Sequence, residues 1–88
     1  MKTTFKTSFA KDLKAIKSKA VLEAITKLIE AVESAQDLRA IPDLKKLKRK
    51  RDYYRIKLGD FRLGVTLSKN EITFVRCLDR KEIYRYYP

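Results

Sequence analysis

Residues 53–67, YYRIKLGDFRLGVTL, decide the fold, because apolar and polar side chains alternate along them in two runs. This period of two is typical of β-strands that bury one face. Between the runs, Gly59-Asp60 favours a two-residue turn, so the runs are predicted to form an antiparallel hairpin. Tyr54, Ile56 and Phe61 then share the face that turns to the core.

The other face of this hairpin is predicted to be cationic. The turn sets a register in which Lys57 lies opposite Arg62, and Arg55 lies opposite Gly64. Like charges that face each other across two strands lower stability unless an anion lies over them, so this face is typical of a surface that receives phosphate. Lys and Arg also protect exposed strands from edge pairing, and that second explanation of the charge stays open.

A third strand is predicted over ITFVRCL, residues 72–78, which is apolar on both faces as an interior strand would be. A two- or four-residue connection to the hairpin would turn Arg76 toward the core, whereas a three-residue loop, 69–71, would place Val75 and Cys77 there. Because an unpaired arginine in a core is costly, the three-residue loop is predicted. Arg76 then lies on the cationic face.

Upstream of the hairpin, the chain is predicted to form a short strand and two amphipathic helices. Residues 2–7, KTTFKT, suit the strand. The first helix is predicted from Ser8, with Thr7 or Ser8 as its N-cap, and the second, residues 19–34, follows Ser18 as its cap. The buried stripe of the first helix is predicted to be Phe9, Leu13 and Ile16, and that of the second Leu22, Ile25, Ile29 and Val32.

Residues 36–52 show no sustained period, so they are predicted to be a loop with one helical turn around residues 43–46. The predicted order is therefore β-α-α-β-β-β, followed by a tail or a short C-terminal helix. We expect a single α+β domain over residues 1–88, with two N-terminal helices packed on a twisted, mainly antiparallel sheet.

Composition narrows the function. Lys and Arg number 22 against 11 Asp and Glu among 88 residues, and the formal net charge of +11 attracts polyanions. With no His and one Cys, Cys/His thiol catalysis and ordinary zinc sites are excluded, so no metal and no cofactor are expected, and Cys77 is predicted to be a core residue. No apolar run is long enough for a membrane span and no signal peptide is recognisable, so we expect a cytoplasmic protein.

A basic run, KKLKRKR at residues 45–51, precedes the hairpin. Next to a cationic sheet face it indicates phosphate binding, although such runs also serve as solvated loops. Tyr53, Tyr84, Tyr86 and Tyr87 fit either stacking on unpaired bases or packing against the protein. The residues predicted to bind RNA are Lys45, Lys46, Lys48, Arg49, Lys50, Arg51, Arg55, Arg76 and Tyr86.

The stretch YYRIKLGDFRLGV, followed by VRCLDRKEIY, resembles the RelE/ParE superfamily of bacterial and archaeal toxins from type II toxin-antitoxin modules. The F-x-K-x-L pattern at residues 9–13 extends the resemblance over essentially the whole chain. It implies two N-terminal helices on a mainly antiparallel sheet. In the RelE-like branch it implies a ribonuclease that cleaves messenger RNA, typically in the ribosomal A site, and that a cognate antitoxin silences.

Carried over by position, Arg62 and Arg80 match the family's two catalytic arginines, and Tyr84 matches its catalytic tyrosine. Arg55 and Lys57 match its pair of basic hairpin residues. Many relatives have His before the last-strand arginine, where this chain has Asp79, an acid that would dampen or reorient Arg80. Attack by the 2′-hydroxyl of RNA needs a base, cations and an acid. The arginines are expected to hold the phosphate, and Lys57 or Tyr84 to transfer protons.

The expected partners are messenger RNA, the ribosome and a small acidic antitoxin, which would cover the cationic face with a helix or strand or displace the C-terminal tail. Two other functions stay open from the sequence. One is a ParE-like inhibitor of DNA gyrase, and the other is a basic RNA- or antitoxin-binding module without catalysis. Membrane binding is not expected, since no helix combines a basic face with bulky aromatic residues.

Overall fold

In a computed structural model, which describes residues 1–48 and 50–88, helices pack on a five-stranded sheet. The elements are β1 (Lys2–Phe5), α1 (Thr7–Ala15), α2 (Lys19–Ser34), a 3₁₀ turn (Leu38–Ala40), β2 (Leu44–Lys46), β3 (Tyr53–Leu58), β4 (Phe61–Ser68), β5 (Glu71–Asp79) and α3 (Ile83–Tyr86). The strand order in the sheet is β1-β5-β4-β3-β2. β1 pairs in parallel with β5, and the other neighbours are antiparallel, which confirms the predicted α+β class and mainly antiparallel sheet.

The β3–β4 hairpin has the predicted register. Lys57 pairs with Arg62 and Arg55 pairs with Gly64 across the Gly59-Asp60 turn. Gly59 adopts a φ of 57°, a left-handed conformation that glycine accepts without a steric penalty. The turn chemistry read from the sequence therefore fixes which side chains share each face of the sheet.

The connection to β5 was predicted with the wrong length. Ser68 pairs with Glu71, so the turn contains only Lys69 and Asn70, both with positive φ. A β-bulge then corrects the phase: Val65 pairs with Phe74 and Gly64 with Arg76, which leaves Val75 as an extra residue.

The bulge produces the predicted positions of Arg76 and Cys77 by a different route. Cys77 is buried in the core, whereas Arg76 shares the face of Gly64. The placement of Val75 in the core was wrong, since it is only partly buried. The carbonyl oxygen of Val75 accepts a hydrogen bond from the Ser8 hydroxyl at 2.6 Å, which satisfies a backbone group of the bulge.

The helix caps were predicted half correctly. Ser18 caps α2 by accepting the Val21 N–H at 3.2 Å. The N-cap of α1 is Lys6, which makes no side-chain cap, so neither Thr7 nor Ser8 has that role. Strand β1 runs almost directly into the helix, because Lys6 still donates its N–H to the carbonyl oxygen of Phe74.

The core lies between the helices and one face of the sheet. From α1 it takes Phe9, and from the sheet chiefly residues of β3, β4 and β5. The buried stripe of α2 is rotated from the predicted one: Leu28 joins it, while Leu22 and Ile29 are only partly buried. The fully or nearly fully buried members are Phe9, Ile25, Leu28, Val32, Ala35, Ile41, Ile56, Leu63, Val65, Ile72, Phe74 and Cys77.

The segment between α2 and the hairpin differs most from prediction. Residues 44–46 form the edge strand β2 rather than a helical turn, and the helical turn lies earlier, at Leu38–Ala40. Leu44 pairs with Ile56 and thereby continues the apolar face of the sheet, which three residues are too few to reveal as a period. Within the described residues, no helix is long and apolar enough to cross a membrane.

Candidate functional site

The cationic face of the sheet is organised in two rows that cross the strands. One row contains Lys45, Arg55, Gly64 and Arg76, on β2, β3, β4 and β5 respectively. The next contains Lys57 and Arg62 at the turn end of the hairpin. Directly opposed side chains on antiparallel strands have Cβ atoms about 4.5–5.5 Å apart, so Lys57 and Arg62 concentrate positive charge at one point.

Arg62 is folded back onto the hairpin turn. Its Nη1 atom donates to the carbonyl oxygens of Gly59 at 2.8 Å and Phe61 at 2.9 Å. Both hydrogens of Nη1 are thus used, and the Nε–Nη2 edge of the guanidinium makes no hydrogen bond to the residues that the structure describes. That edge is a fork suited to two phosphate oxygens, and it is held in place by the backbone.

Arg80 lies at the same end of the sheet. It directly follows β5, and its backbone N–H donates to the carbonyl oxygen of Asp60 at 2.8 Å. The turn therefore lies between two arginines, one anchored through its side chain and the other through its backbone. The side chain of Arg80 is exposed to solvent.

Asp79, the departure from the family pattern, stabilises the turn between β5 and α3. Its Oδ1 accepts the Lys81 N–H at 2.8 Å, and its carbonyl oxygen accepts the Glu82 N–H at 2.8 Å. The ion pairs in the described part of the chain do not join Asp79 to Arg80. The local contacts of Asp79 are those of a turn residue.

Tyr84 is brought to the cationic face by α3. Its phenol oxygen accepts a hydrogen bond from Arg55 Nε at 3.0 Å, while the side chain remains 60% exposed. A tyrosine hydroxyl that accepts from a guanidinium keeps its own proton, which it can donate to another partner. Arg55 and Tyr84 therefore form one unit, although the sequence separates them by the whole of β4 and β5.

The C-terminal segment is held to this face by Tyr87, which is only 2% exposed. Its ring lies over Gly64, where a Cβ atom would come within 2.7 Å of the ring carbons. It packs against Tyr53 with 5.7 Å between ring centroids, and its hydroxyl lies within hydrogen-bonding distance of the carbonyl oxygens of Tyr54 and Val65. Burial raises the pKa of Tyr87 well above its usual range. Of the two interpretations of this tyrosine, packing is the one observed.

Arg76 has an internal partner. Its Nε and Nη2 atoms donate to the two carboxylate oxygens of Asp12 at 2.7 and 3.0 Å. The Tyr86 ring, 54% exposed, lies with its centroid 5.5 Å from Arg76 Cζ. Asp12 was not predicted as a site residue, although the sequence carries a signal: it is the only acid before Glu23 and stands among lysines.

The basic run is spread over both faces of the sheet. Lys45 shares the face of Arg55, but Lys46 pairs with Tyr54 and so turns to the other face. Lys48 lines a small cleft with Tyr84 and Pro88, and the Lys50 ammonium lies 5.5 Å from the centroid of the Tyr53 ring. Arg51 is exposed, and the predicted role of Arg49 lies outside the described residues.

Cys77 is buried as predicted. Burial, together with the negative charge of Asp12, raises the pKa of its thiol to about 12. A thiol with so high a pKa carries almost no thiolate near neutral pH, so Cys77 is an inert packing residue.

Comparison with known proteins gives consistent matches. A sequence profile of the family described as "ParE toxin of type II toxin-antitoxin system, parDE" matches residues 4–84. The curated protein Toxin RelE3 of Methanocaldococcus jannaschii is 37% identical over 89 residues, covering 100% of both chains.

Solved structures extend the likeness to three dimensions. The crystal structure of the RelB-RelE antitoxin-toxin complex from Methanococcus jannaschii matches with a TM-score of 0.82 and 35% identity, covering 97% of this chain and 99% of that chain. The YoeB-YefM complex from Staphylococcus aureus matches with a TM-score of 0.69 and 25% identity, covering 88% of this chain and 93% of that chain.

Proposed function

The chain belongs to the ParE toxin family of type II toxin-antitoxin systems, and from that premise we propose that it is an endoribonuclease that cleaves messenger RNA, with the ribosome presenting the substrate. The RelE/ParE resemblance seen in the sequence is confirmed by the family match and by the curated relative. The nuclease activity and its residues are the proposal. Lys57, Arg62, Arg80 and Tyr84 are proposed to act on the RNA.

One observation carries the proposal: the cations Lys57, Arg62 and Arg80, which form no ion pair with a carboxylate of the described residues, lie at one end of the sheet. In the described residues, the ion pairs are Arg39–Asp37, Arg76–Asp12 and Arg85–Glu82, none of which involves Lys57, Arg62 or Arg80. A protein that keeps like charges together without an internal counterion loses stability in the free state. A bound phosphate would remove that cost, which supports a phosphodiester substrate.

In the proposed reaction, the RNA 2′-oxygen attacks the adjacent phosphorus, and the bond from phosphorus to the 5′-oxygen breaks. Lys57, in its neutral form, takes the proton of the 2′-hydroxyl. The free edge of the Arg62 guanidinium binds the non-bridging phosphate oxygens, whose negative charge grows in the transition state. Arg80 supports the leaving side, and the products are a 2′,3′-cyclic phosphate and a 5′-hydroxyl.

Tyr84 is proposed to donate its proton to the departing 5′-oxygen. The hydrogen bond from Arg55 Nε to the phenol oxygen, 3.0 Å long, supports this role because it stabilises the phenolate that remains. The exchange of protons is balanced, since Lys57 gains one and Tyr84 loses one. Solvent restores both groups before the next turnover.

The test is single-turnover cleavage of ribosome-bound messenger RNA by Arg62→Ala and Tyr84→Phe. Each variant should cleave about 10²- to 10³-fold more slowly than the wild type, the usual loss when one preorganised charge-stabilising group is removed. Lys27→Ala, on the exposed side of α2, is the control and should cleave normally. Wild-type rates in both test variants would reject the assigned residues. DNA breakage without RNA cleavage by the wild type would instead favour a gyrase inhibitor.

We also propose a cognate antitoxin with an acidic surface that covers the cationic face. The solved RelB-RelE and YoeB-YefM complexes are of antitoxin-bound relatives, and the net charge of +11 favours an acidic partner here. Co-expression with a small acidic protein encoded next to this one should relieve growth arrest. A neutralising protein that binds equally well from 0.1 to 1 M salt would contradict the electrostatic part of this proposal.

A further inference from the structure

Asp12, on α1, binds β5 directly and is linked through Arg76 to α3. Its carboxylate accepts both hydrogen bonds of the Arg76 fork, at 2.7 and 3.0 Å, and also the backbone N–H of Cys77 at 2.9 Å. The Asp12 side chain is 10% exposed and that of Arg76 24%, so this pair is shielded far better than Asp37–Arg39, at 52% and 92%. A shielded, bidentate pair fixes the plane of the guanidinium, which an exposed pair does not.

The fixed guanidinium of Arg76 in turn supports α3. The Tyr86 ring lies over it at 5.5 Å from Arg76 Cζ to the ring centroid, a cation–π contact. The hydrogen bond to Asp12 also raises the pKa of Arg76 further above its usual range, so its charge is permanent. Helix α3 contains only four residues, Ile83–Tyr86, and is too short to be stable without tertiary contacts.

Tyr84 lies on that same helical turn. Its position over Arg55 depends on the contacts that hold α3: the burial of Ile83, the Tyr86 ring over Arg76, and Tyr87 over Gly64. Among these, the Arg76 contact is the one that leads back to α1 through Asp12. Contacts thus lead from the helix that carries the phenol to a residue on the first helix of the chain.

We propose that Asp12 is a positioning residue of the nuclease site: it withdraws Arg76 from the RNA-binding cations and uses it as the support on which Tyr86, and with it Tyr84, is oriented. This inference rests on the proposed function, and it replaces the RNA-binding role that the sequence suggested for Arg76. Asp12 and Arg76 act through α3 and do not touch the substrate.

Asp12→Asn should have two opposite effects, on RNA binding and on cleavage. The amide keeps the size of the side chain and its acceptor for the Cys77 N–H, but it loses the charge that retains Arg76. The freed guanidinium adds one cation to the face, so the RNA should bind more tightly. The helix that carries Tyr84 loses one of its three contacts at the same time, so cleavage should slow. A residue needed only for folding would not strengthen binding while it weakens turnover.

The experiment measures binding of a short single-stranded RNA, single-turnover cleavage, and trypsin cleavage after Arg85 in each variant. Asp12→Asn should steepen the slope of log binding constant against log salt by about 0.7, the increment for one additional phosphate contact on a single strand. Its cleavage rate should fall about 10- to 100-fold, as expected from a small misplacement of a reacting group. Trypsin should cut after Arg85 about two- to fivefold faster, the effect of losing one partly exposed cation–π contact, because α3 opens more often although buried Ile83 and Tyr87 still hold it.

Three further variants distinguish the release of the Arg76 cation from the loosening of α3. Arg76→Gln should slow cleavage and expose Arg85 without steepening the salt slope, because no cation is released. Tyr86→Leu should do the same with Asp12 and Arg76 intact. Asp37→Asn, which alters an exposed Asp–Arg pair, is the matched control and should change none of the measurements.

An unchanged salt slope and unchanged trypsin rate in Asp12→Asn would overturn the proposal, and so would a loss of activity explained entirely by a lower unfolding temperature. If the wild type cleaves no RNA, the proposed function fails. The trypsin and salt measurements still decide whether Asp12 holds α3 and retains Arg76, so the two failures are distinguishable.

Discussion

At Gly64, the side chain that packs on the strand determines which residue type fits. The position is within β4, where a glycine ordinarily weakens a strand. Its value here is the space it leaves for the Tyr87 ring, since a Cβ atom would approach the ring carbons to 2.7 Å. The missing side chain was visible in the sequence as a gap in the cationic face. The residue that fills this gap, Tyr87, could not be predicted, because it comes from the far end of the chain.

Gly64→Ala should therefore lower the free energy of unfolding by about 1–3 kcal/mol, the usual cost of forcing extra volume into a packed site. In a Tyr87→Ala background, the same change should cost much less, because the added methyl group no longer meets a ring. Urea unfolding of the four proteins, wild type, both single variants and the double variant, measures the coupling. Equal costs of Gly64→Ala in both backgrounds would show that the ring is not the obstacle.

For single residues, contacts between neighbours in the sequence could be predicted, whereas contacts between residues far apart in the sequence could not. The opposition of Lys57 and Arg62 follows from the turn between them and was predicted correctly. The pairing of Asp12 with Arg76 spans 64 residues and depends on α1 packing beside β5. No spacing rule in the sequence connects residues so far apart, so Asp12 was not predicted as a partner of Arg76.

Among the elements, α2 was the easiest to predict and offers a clean test of its cap. The Ser18 hydroxyl accepts the Val21 N–H at 3.2 Å and thereby satisfies one of the unpaired amides of the first turn. Ser18→Ala should lower the free energy of unfolding by about 1 kcal/mol. Chemical unfolding of Ser18→Ala and of Ser34→Ala, a change at the exposed last residue of the helix, provides the comparison. A cost no larger at Ser18 than at Ser34 would contradict the capping role.

The elements that escaped prediction are short. β2 contains three residues, so alternation has no room to appear in it, and only its pairing with β3 makes it a strand. The stripe of α2 was displaced because several apolar residues compete for the buried side, and the sheet beneath selects Leu28 over Leu22. In both cases the tertiary partner, which the local sequence does not contain, made the choice.

For the whole molecule, two buried ionisable groups predict how stability changes in alkali. Burial raises the pKa of Cys77 from 9.0 to about 12 and raises that of Tyr87 as well, so the folded protein keeps both protons while the unfolded chain loses them. The contribution of these two groups to the free energy of unfolding is complete below about pH 9 and is lost as the pH rises toward 12. The free energy of unfolding should fall in this window by at most about 1.4 kcal/mol per pH unit for each group.

The measurement is urea unfolding at pH 7, 9, 10 and 11 for the wild type, Cys77→Ala and Tyr87→Phe. Between about pH 9 and 10 the decline should be shallower in Cys77→Ala than in the wild type, since the thiol ionises first in the unfolded chain. Tyr87→Phe should differ chiefly above pH 10. Parallel curves for all three proteins would show that neither buried group is linked to unfolding.

The bulge at Val75 divides β5 into two halves with separate duties. Before it, Ile72 and Phe74 keep step with β1 and β4 and belong to the core; after it, the chain is offset by one residue, and Cys77 takes the inward place. Without the extra residue, every position after Val75 would change face, so Arg76 would turn to the core and Cys77 would turn to the cationic face. The offset of one residue therefore allows a single strand to bury Phe74 and Cys77 and still present Arg76 to Asp12.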